Sequence, residues 1–258
     1  MHQAVQAETG GQSRKERRMD PLFIKQVLIN WNRIPRSSYL HEVQALKGLR
    51  EITFRDPVTF FAGENGTGKS TLLEGIAVAY GFNPEGGSRN YSFSTYDSHS
   101  ELWDAMTLVR GARSGKWGYF LRAESFYNVA TKEQDYADAG HPSMRLHECS
   151  HGESFLAMMQ SRMSGAGLYI LDEPEAALSP QRQLTLLLEM RRAVQAGAQF
   201  LVASHSPILL GYPGAQILSF DGGRLHPVGY EQTESYQVTE MFLNNREYLL
   251  KRLWEAEE

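Results

Sequence analysis

Gly63-Glu64-Asn65-Gly66-Thr67-Gly68-Lys69-Ser70-Thr71 fits the pattern G-x-x-x-x-G-K-[ST] at every fixed position. A phosphate group explains each residue type in it. Glycines let backbone N–H groups turn toward an anion, Lys69 reaches the β- and γ-phosphate oxygens, and the Ser70 hydroxyl is a ligand for Mg²⁺. The stretch therefore points to a nucleoside triphosphate. A glycine-rich turn with a chance lysine is the bland alternative, and the flanks argue against it. Val58-Thr59-Phe60-Phe61-Ala62 is a short apolar run, and Leu72, Leu73, Ile76 and Ala79/Tyr80 recur at helical spacing. The loop thus falls between strand and helix, as the chemistry requires, and the helix aims its positive end at the same anion.

A second group of reactive residues is Asp172-Glu173-Pro174-Glu175, after Leu168-Tyr169-Ile170-Leu171. Four apolar residues suit a parallel strand covered on both faces, with the acids at its carboxyl end, where open α/β sheets bind ligands. Asp172 is placed to hold the hydration shell of Mg²⁺, and Glu173 to polarise the water that attacks a γ-phosphate. Another buried-strand run, Gln199-Phe200-Leu201-Val202-Ala203, delivers Ser204-His205 to the same sheet edge. His205 there either donates a hydrogen bond to the γ-phosphate or caps the helix announced by Ser206-Pro207. Upstream, Ser150-His151-Gly152-Glu153 reads as a capping box, and its small Gly152 also leaves bare N–H groups for an anion. Cys149, His141, His147 and His151 have no common zinc spacing.

These residues need a frame. Phe23 to Ile29 and Glu51 to Phe54 are strand-like and form a β-layer that delivers the chain to Val58. Glu101 to Val109 has helical spacing, and Trp117 to Glu124 reads as a strand. Ser179 and Pro180 start a helix with Leu184, Leu187, Leu188 and Val194 on one face and Gly197 at its stop. From about Thr233, Val238, Met241, Phe242, Tyr248, Leu249 and Trp254 describe a packing helix, with a partner-docking helix as the lesser alternative. The segment from 82 to 165 is long enough for a small lobe and too short for a long coiled coil. Residues 1–18 are polar, end in Arg14-Lys15-Glu16-Arg17-Arg18, and read as a disordered tail. The expected fold is α/β, with one domain over 19–258.

Taken in order, Gly63 to Thr71, Ser150 to Glu153, Leu168 to Glu173 and His205 resemble the Walker A, signature, Walker B and switch-histidine motifs of ABC-type ATPases. Pro174-Glu175 and Ala177-Leu178-Ser179-Pro180 make the chain more similar to the SMC, RecF and OLD-like branch than to transporters. The resemblance implies a P-loop NTPase fold of ABC-ATPase type: a mostly parallel sheet flanked by helices, an N-terminal antiparallel β layer and a small helical lobe. It implies ATP and Mg²⁺ as cofactors and an ATP-dependent homodimer, with each nucleotide between Lys69 and Ser70 of one chain and Ser150, Gly152 and Glu153 of the other. Glu124 stands in for the family's metal-site glutamine. His151-Gly152 replaces two glycines of the signature, and Ser179 stands where the family has aspartate.

With 258 residues, 41% apolar and 22% charged, the chain is an ordinary globular composition. A net charge of −4 spreads no general positive field, so a DNA effector would need a local patch. Arg89, Arg110, Arg113, Lys116 and Arg122 offer one, although a solvated face accounts for them better. A single cysteine fits a reducing, cytoplasmic setting, and no apolar run approaches the length of a membrane span. The expected role is an ATP-driven switch in DNA repair, genome maintenance or phage and plasmid defence. The nucleotide-binding subunit of an ABC transporter is the alternative, and a protein effector is possible in either case.

Overall fold

The computed structural model describes residues 22–88, 100–113, 117–122, 151–163 and 165–255. The expected tail of residues 1–18 lies outside them. In chain order the strands are β1 (Ile24–Ile29), β2 (Glu51–Thr53), β3 (Val58–Ala62), β4 (Met106–Arg110), β5 (Gly118–Arg122), β6 (Leu168–Asp172), β7 (Gln199–Ala203), β8 (Gln216–Ser219) and β9 (His226–Pro227). The helices are α1 (Lys69–Tyr80), α2 (His151–Arg162), α3 (Pro180–Gln195), α4 (Pro207–Leu210) and α5 (Glu234–Glu255).

Two sheets carry the fold. Strands in the order β2-β1-β4 form a small antiparallel layer, and β5-β6-β7-β3-β8-β9 form the main sheet, parallel except where β9 turns back on β8. The apolar strand runs are buried on both faces, as a parallel sheet demands. Phe61, Phe120, Ile170 and Leu201 point to a core shared with α1 and the antiparallel layer. Their alternates Phe60, Leu121, Leu171 and Val202 point to a second core with α2 and α3. One buried amide joins the layers: Gln199 Oε1 accepts from the N–H groups of Phe23 and Ile24 at 2.7 and 2.9 Å, and its Nε2 donates to Ile24 O at 2.9 Å.

Three expectations are corrected. Glu101 to Val109 is not one helix. A 3₁₀ turn over Glu101–Ala105, started by Ser100, gives way to β4, whose ladder with β1 outweighs local helical spacing. On α3 the buried face is Gln183, Leu186, Met190 and Ala193, whereas Leu184 and Leu188 are half exposed. Its phase is set by Gln183, a polar residue whose amide is bonded internally to Leu178 O and Ser206 Oγ. Helix α5 does not pack into the core: none of its residues is buried, and it kinks at Asn245. Among the described elements its main contacts are with the 3₁₀ turn Tyr230–Gln232 and with α4.

In the segment 82–165, β4 has joined the antiparallel layer and β5 the main sheet, and α2 packs over that sheet.

Candidate functional site

The carboxyl ends of β3, β6 and β7 are neighbours, and each carries one piece of the predicted chemistry. From β3 the chain enters the loop Gly63–Gly68 and then α1, whose first turn has no side-chain cap, so its N–H groups face the loop. Gly68 is required twice over. Its φ is +103°, and a Cβ there would lie 2.6 Å from Val43 Cγ1. Thr67 Oγ1 donates to Glu64 O at 2.8 Å and braces the loop from within.

Lys69 folds back over this loop. Its Nζ donates to Gly63 O and Glu64 O, both at 2.7 Å, and lies 3.8 Å from Glu173 Oε1. The side chain is 2% exposed. Burial pulls its pKa below the ordinary value of 10.5, and the carboxylates of Glu173 and then Asp172 pull the other way. Ser70 Oγ donates to Asp172 Oδ1 at 2.9 Å. A hydroxyl and a carboxylate oxygen this close are a donor pair of the hard, oxygen-only kind that Mg²⁺ takes. Ser70 and Asp172 would hold the ion, which would supply charge neutralisation to a phosphate chain.

Glu173 follows directly and adopts φ 49° and ψ 52°, the only positive φ of a non-glycine among the described residues. Its N–H donates to Ala203 O at 3.0 Å, which fixes the acid beside the end of β7. His205, half exposed, comes from that end and lines a cavity of about 500 Å³ with Gly63, Asn65 and Asp221. A second cavity of about 410 Å³, lined by Gly66, Thr67, Gln44 and Asp221, lies against the same loop. His205 is not a helix cap: Ser206 Oγ takes that place, accepting from Ile208 N and Leu209 N.

The structure thus gathers Lys69, Ser70, Asp172, Glu173 and His205 around the loop Gly63–Thr71. Gly152 and Glu153 fall in the first turn of α2, where only the backbone is described. Ser150 and Glu124 lie outside the described residues.

Sequence reasoning missed two participants. Arg122, at the end of β5, donates to Glu74 Oε2 at 2.7 Å and sits 3.6 Å from Asp172 Oδ2. It therefore belongs to the acid site and not to a DNA-facing patch. Two more members of that patch are engaged internally, since Arg113 donates to Gly197 O and Arg110 lies over the Tyr80 ring. The other participant is Glu175, whose carboxylate accepts from the turn that carries His205. Its signal in sequence was a second acid after Pro174.

Two family profiles match this chain: one described as an AAA domain, over residues 39–136, and one described as "AAA domain, putative AbiEii toxin, Type IV TA system", over 154–211. Their spans take in the phosphate loop, the acids and His205. Over those two stretches the chain matches AAA domains. Solved structures similar to this chain include the SMC head domain from Thermotoga maritima, with 16% identity over 81% of this chain and 100% of that one, at a TM-score of 0.46. Another is cbiO1 from Clostridium perfringens, part of the ABC transporter complex cbiONQ, with 16% identity over 89% and 99% at 0.48. A third is an SmcHead bound to the C-winged helix domain of ScpA, with 14% identity over 69% and 91% at 0.41. No curated protein matches this chain. Among its described residues no helix is long and apolar enough to cross a membrane.

Proposed function

We propose that this protein hydrolyses ATP to ADP and phosphate in a nucleotide-sandwich homodimer and serves as a switch for a DNA or protein effector. The observation that carries the reading is the convergence of Lys69, the Ser70–Asp172 pair, Glu173 and His205 on one side of the phosphate loop. Lys69 holds the β- and γ-phosphates. Ser70 and Asp172 hold Mg²⁺, with Glu124, two positions after the end of β5, as a further candidate. Glu173 orients and polarises the attacking water, and His205 contacts the γ-phosphate.

Each ATP would lie between Lys69 and Ser70 of one protomer and Ser150, Gly152 and Glu153 of the partner subunit. Helix N–H groups of the second chain would stabilise charge on the γ-phosphate only in the closed state, which makes hydrolysis conditional on dimerisation. ATP then joins the protomers and hydrolysis releases them. Phage or plasmid defence is the favoured setting over DNA repair. The matched description of residues 154–211 names a toxin–antitoxin system, and three of the five basic residues that suggested a DNA patch are engaged internally.

Sedimentation of Glu173→Gln with and without Mg-ATP tests the reading. An ATP-bound dimer should accumulate, and adding Ser150→Arg should abolish it while monomer ATP affinity survives. Normal hydrolysis by a monomeric Ser150→Arg protein would refute the sandwich and leave the phosphate loop standing. Affinity purification of the trapped Glu173→Gln dimer then identifies the effector.

A further inference from the structure

Three residues beyond Asp172 the chain buries another carboxylate. Glu175 lies in the 3₁₀ turn Pro174–Ala177 and is 8% exposed. Its Oε1 accepts from Ser204 Oγ at 2.8 Å, from His205 N at 2.7 Å and from Ser206 N at 3.2 Å. The same oxygen lies 3.4 Å from His205 Nδ1. Its Oε2 is buried and has no hydrogen-bond partner among the described residues.

Burying a carboxylate costs several kcal/mol unless donors surround it. Here every donor comes from three consecutive residues, and the middle one is His205. The bonds therefore hold one turn, not the general core. A second contact runs in parallel, because Glu173 N donates to Ala203 O at 3.0 Å. A third closes the circuit: Ser206 Oγ donates to Gln183 Oε1 at 2.6 Å, and Gln183 Nε2 donates to Leu178 O at 3.1 Å. The segment from Glu173 to Leu178 is thus tied to the segment from Ala203 to Ser206 at three places. Glu173, held in its left-handed conformation, makes the second of these ties through its own N–H.

We infer that Glu175 is a positioning residue that makes the Glu173 turn and the His205 turn one body, so that the hydrolytic acid is aligned only when His205 is seated. The inference rests on the proposed contact of His205 with the γ-phosphate. It adds a cause: seating the histidine on the phosphate would set the angle of the acid through the Glu175 carboxylate.

Three substitutions separate coupling from simple support of the fold. Leu at 175 keeps the volume and loses the acceptor, whereas Gln keeps one acceptor oxygen and loses the charge. Glu175→Leu should lower kcat by on the order of 10²-fold, since a displacement near 1 Å costs about that much, with KM for ATP within about threefold because Lys69 and Ser70 are untouched. Glu175→Gln should recover most of kcat. Glu175→Leu combined with His205→Ala should be no slower than His205→Ala alone, because both changes cut one link.

Additive losses in the double variant, or wild-type kcat in Glu175→Leu, would overturn the coupling. If Glu175→Leu does not fold, the ring ¹⁵N signals of His205 decide. They should move in Glu175→Gln, which removes the charge next to Nδ1, and unmoved signals would count against it. Wild-type turnover in His205→Ala alone would refute the phosphate contact itself, which is a separate result, and the ring signals would still report whether Glu175 holds the histidine.

Discussion

Ser70 Oγ donates to Asp172 Oδ1 across 2.9 Å, although 102 residues separate the two in the chain. One stands in the first turn of α1 and the other at the last position of β6, so the bond registers the alignment of two elements that the sequence keeps far apart. Both oxygens suit Mg²⁺. Removing divalent cations with EDTA should therefore abolish hydrolysis, and Asp172→Asn should raise the half-activating Mg²⁺ concentration by about tenfold or more. Titrating activity against Mg²⁺ checks this, and an unchanged midpoint would take Asp172 out of the metal site.

Lys69 and Glu173 sit 3.8 Å apart yet have separate duties. Lys69→Ala should lose ATP binding. Glu173→Gln should keep binding and lose hydrolysis by roughly 10²- to 10⁴-fold. Nucleotide titration beside single-turnover assays reads the two, and equal loss of binding would defeat the division of labour.

The left-handed backbone of Glu173 stores strain that glycine would not carry. Glu173→Gly should be more stable than Glu173→Ala by about 1 kcal/mol, with both inactive. Urea unfolding compares them. Equal midpoints with equal slopes would mean that the turn relaxes once the carboxylate is gone.

The buried ammonium of Lys69 makes stability depend on pH in a defined direction. Its folded pKa lies below 10.5, because burial disfavours the charge more than Glu173 and Asp172 favour it. Between the lowered folded value and 10.5 the unfolded chain binds more protons than the folded one, so stability rises with pH through that window. Below the window the cost of the buried charge is present in full. Lys69→Met should flatten this alkaline rise in the nucleotide-free protein and stabilise it near neutrality. Parallel pH curves for the two proteins would contradict the environment described for Lys69.

Gln199→Leu should destabilise the fold by about 2–4 kcal/mol, since it leaves the buried N–H groups of Phe23 and Ile24 without their acceptor. Chemical denaturation measures the loss. A cost under about 0.5 kcal/mol would show that β1 finds other partners.

The phosphate loop, the acids after β6 and His205 were legible because each is a short local pattern whose chemistry dictates residue type and spacing. The central strands were legible because both faces of a parallel sheet are buried, which leaves unbroken apolar runs. What escaped depends on partners distant in sequence. Met106 to Arg110 became a strand because β1 was there to pair with. The inward face of α3 is led by Gln183, which an apolar count ranks as outward. Arg122 looked like part of a basic surface until Glu74 and Asp172 appeared beside it. The last helix shows apolar residues at helical spacing without burying any, so its periodicity said nothing about where it would lie.

The strand order has a consequence for synthesis. β3, which leads into the phosphate loop, is flanked by β7 and β8, and Gln199 reaches back 176 positions to Phe23. Both flanks of β3 and the anchor of β1 therefore leave the ribosome only after α1, β4, β5, β6 and α3 have been made. At roughly 5–20 residues per second, β3 waits on the order of ten seconds for a neighbour. During that interval Phe60 and Phe61 have no sheet to enter, which makes the nascent chain a client for holding factors. A chain that ended before Gln199 would have an intact phosphate-loop sequence and no scaffold to shape it.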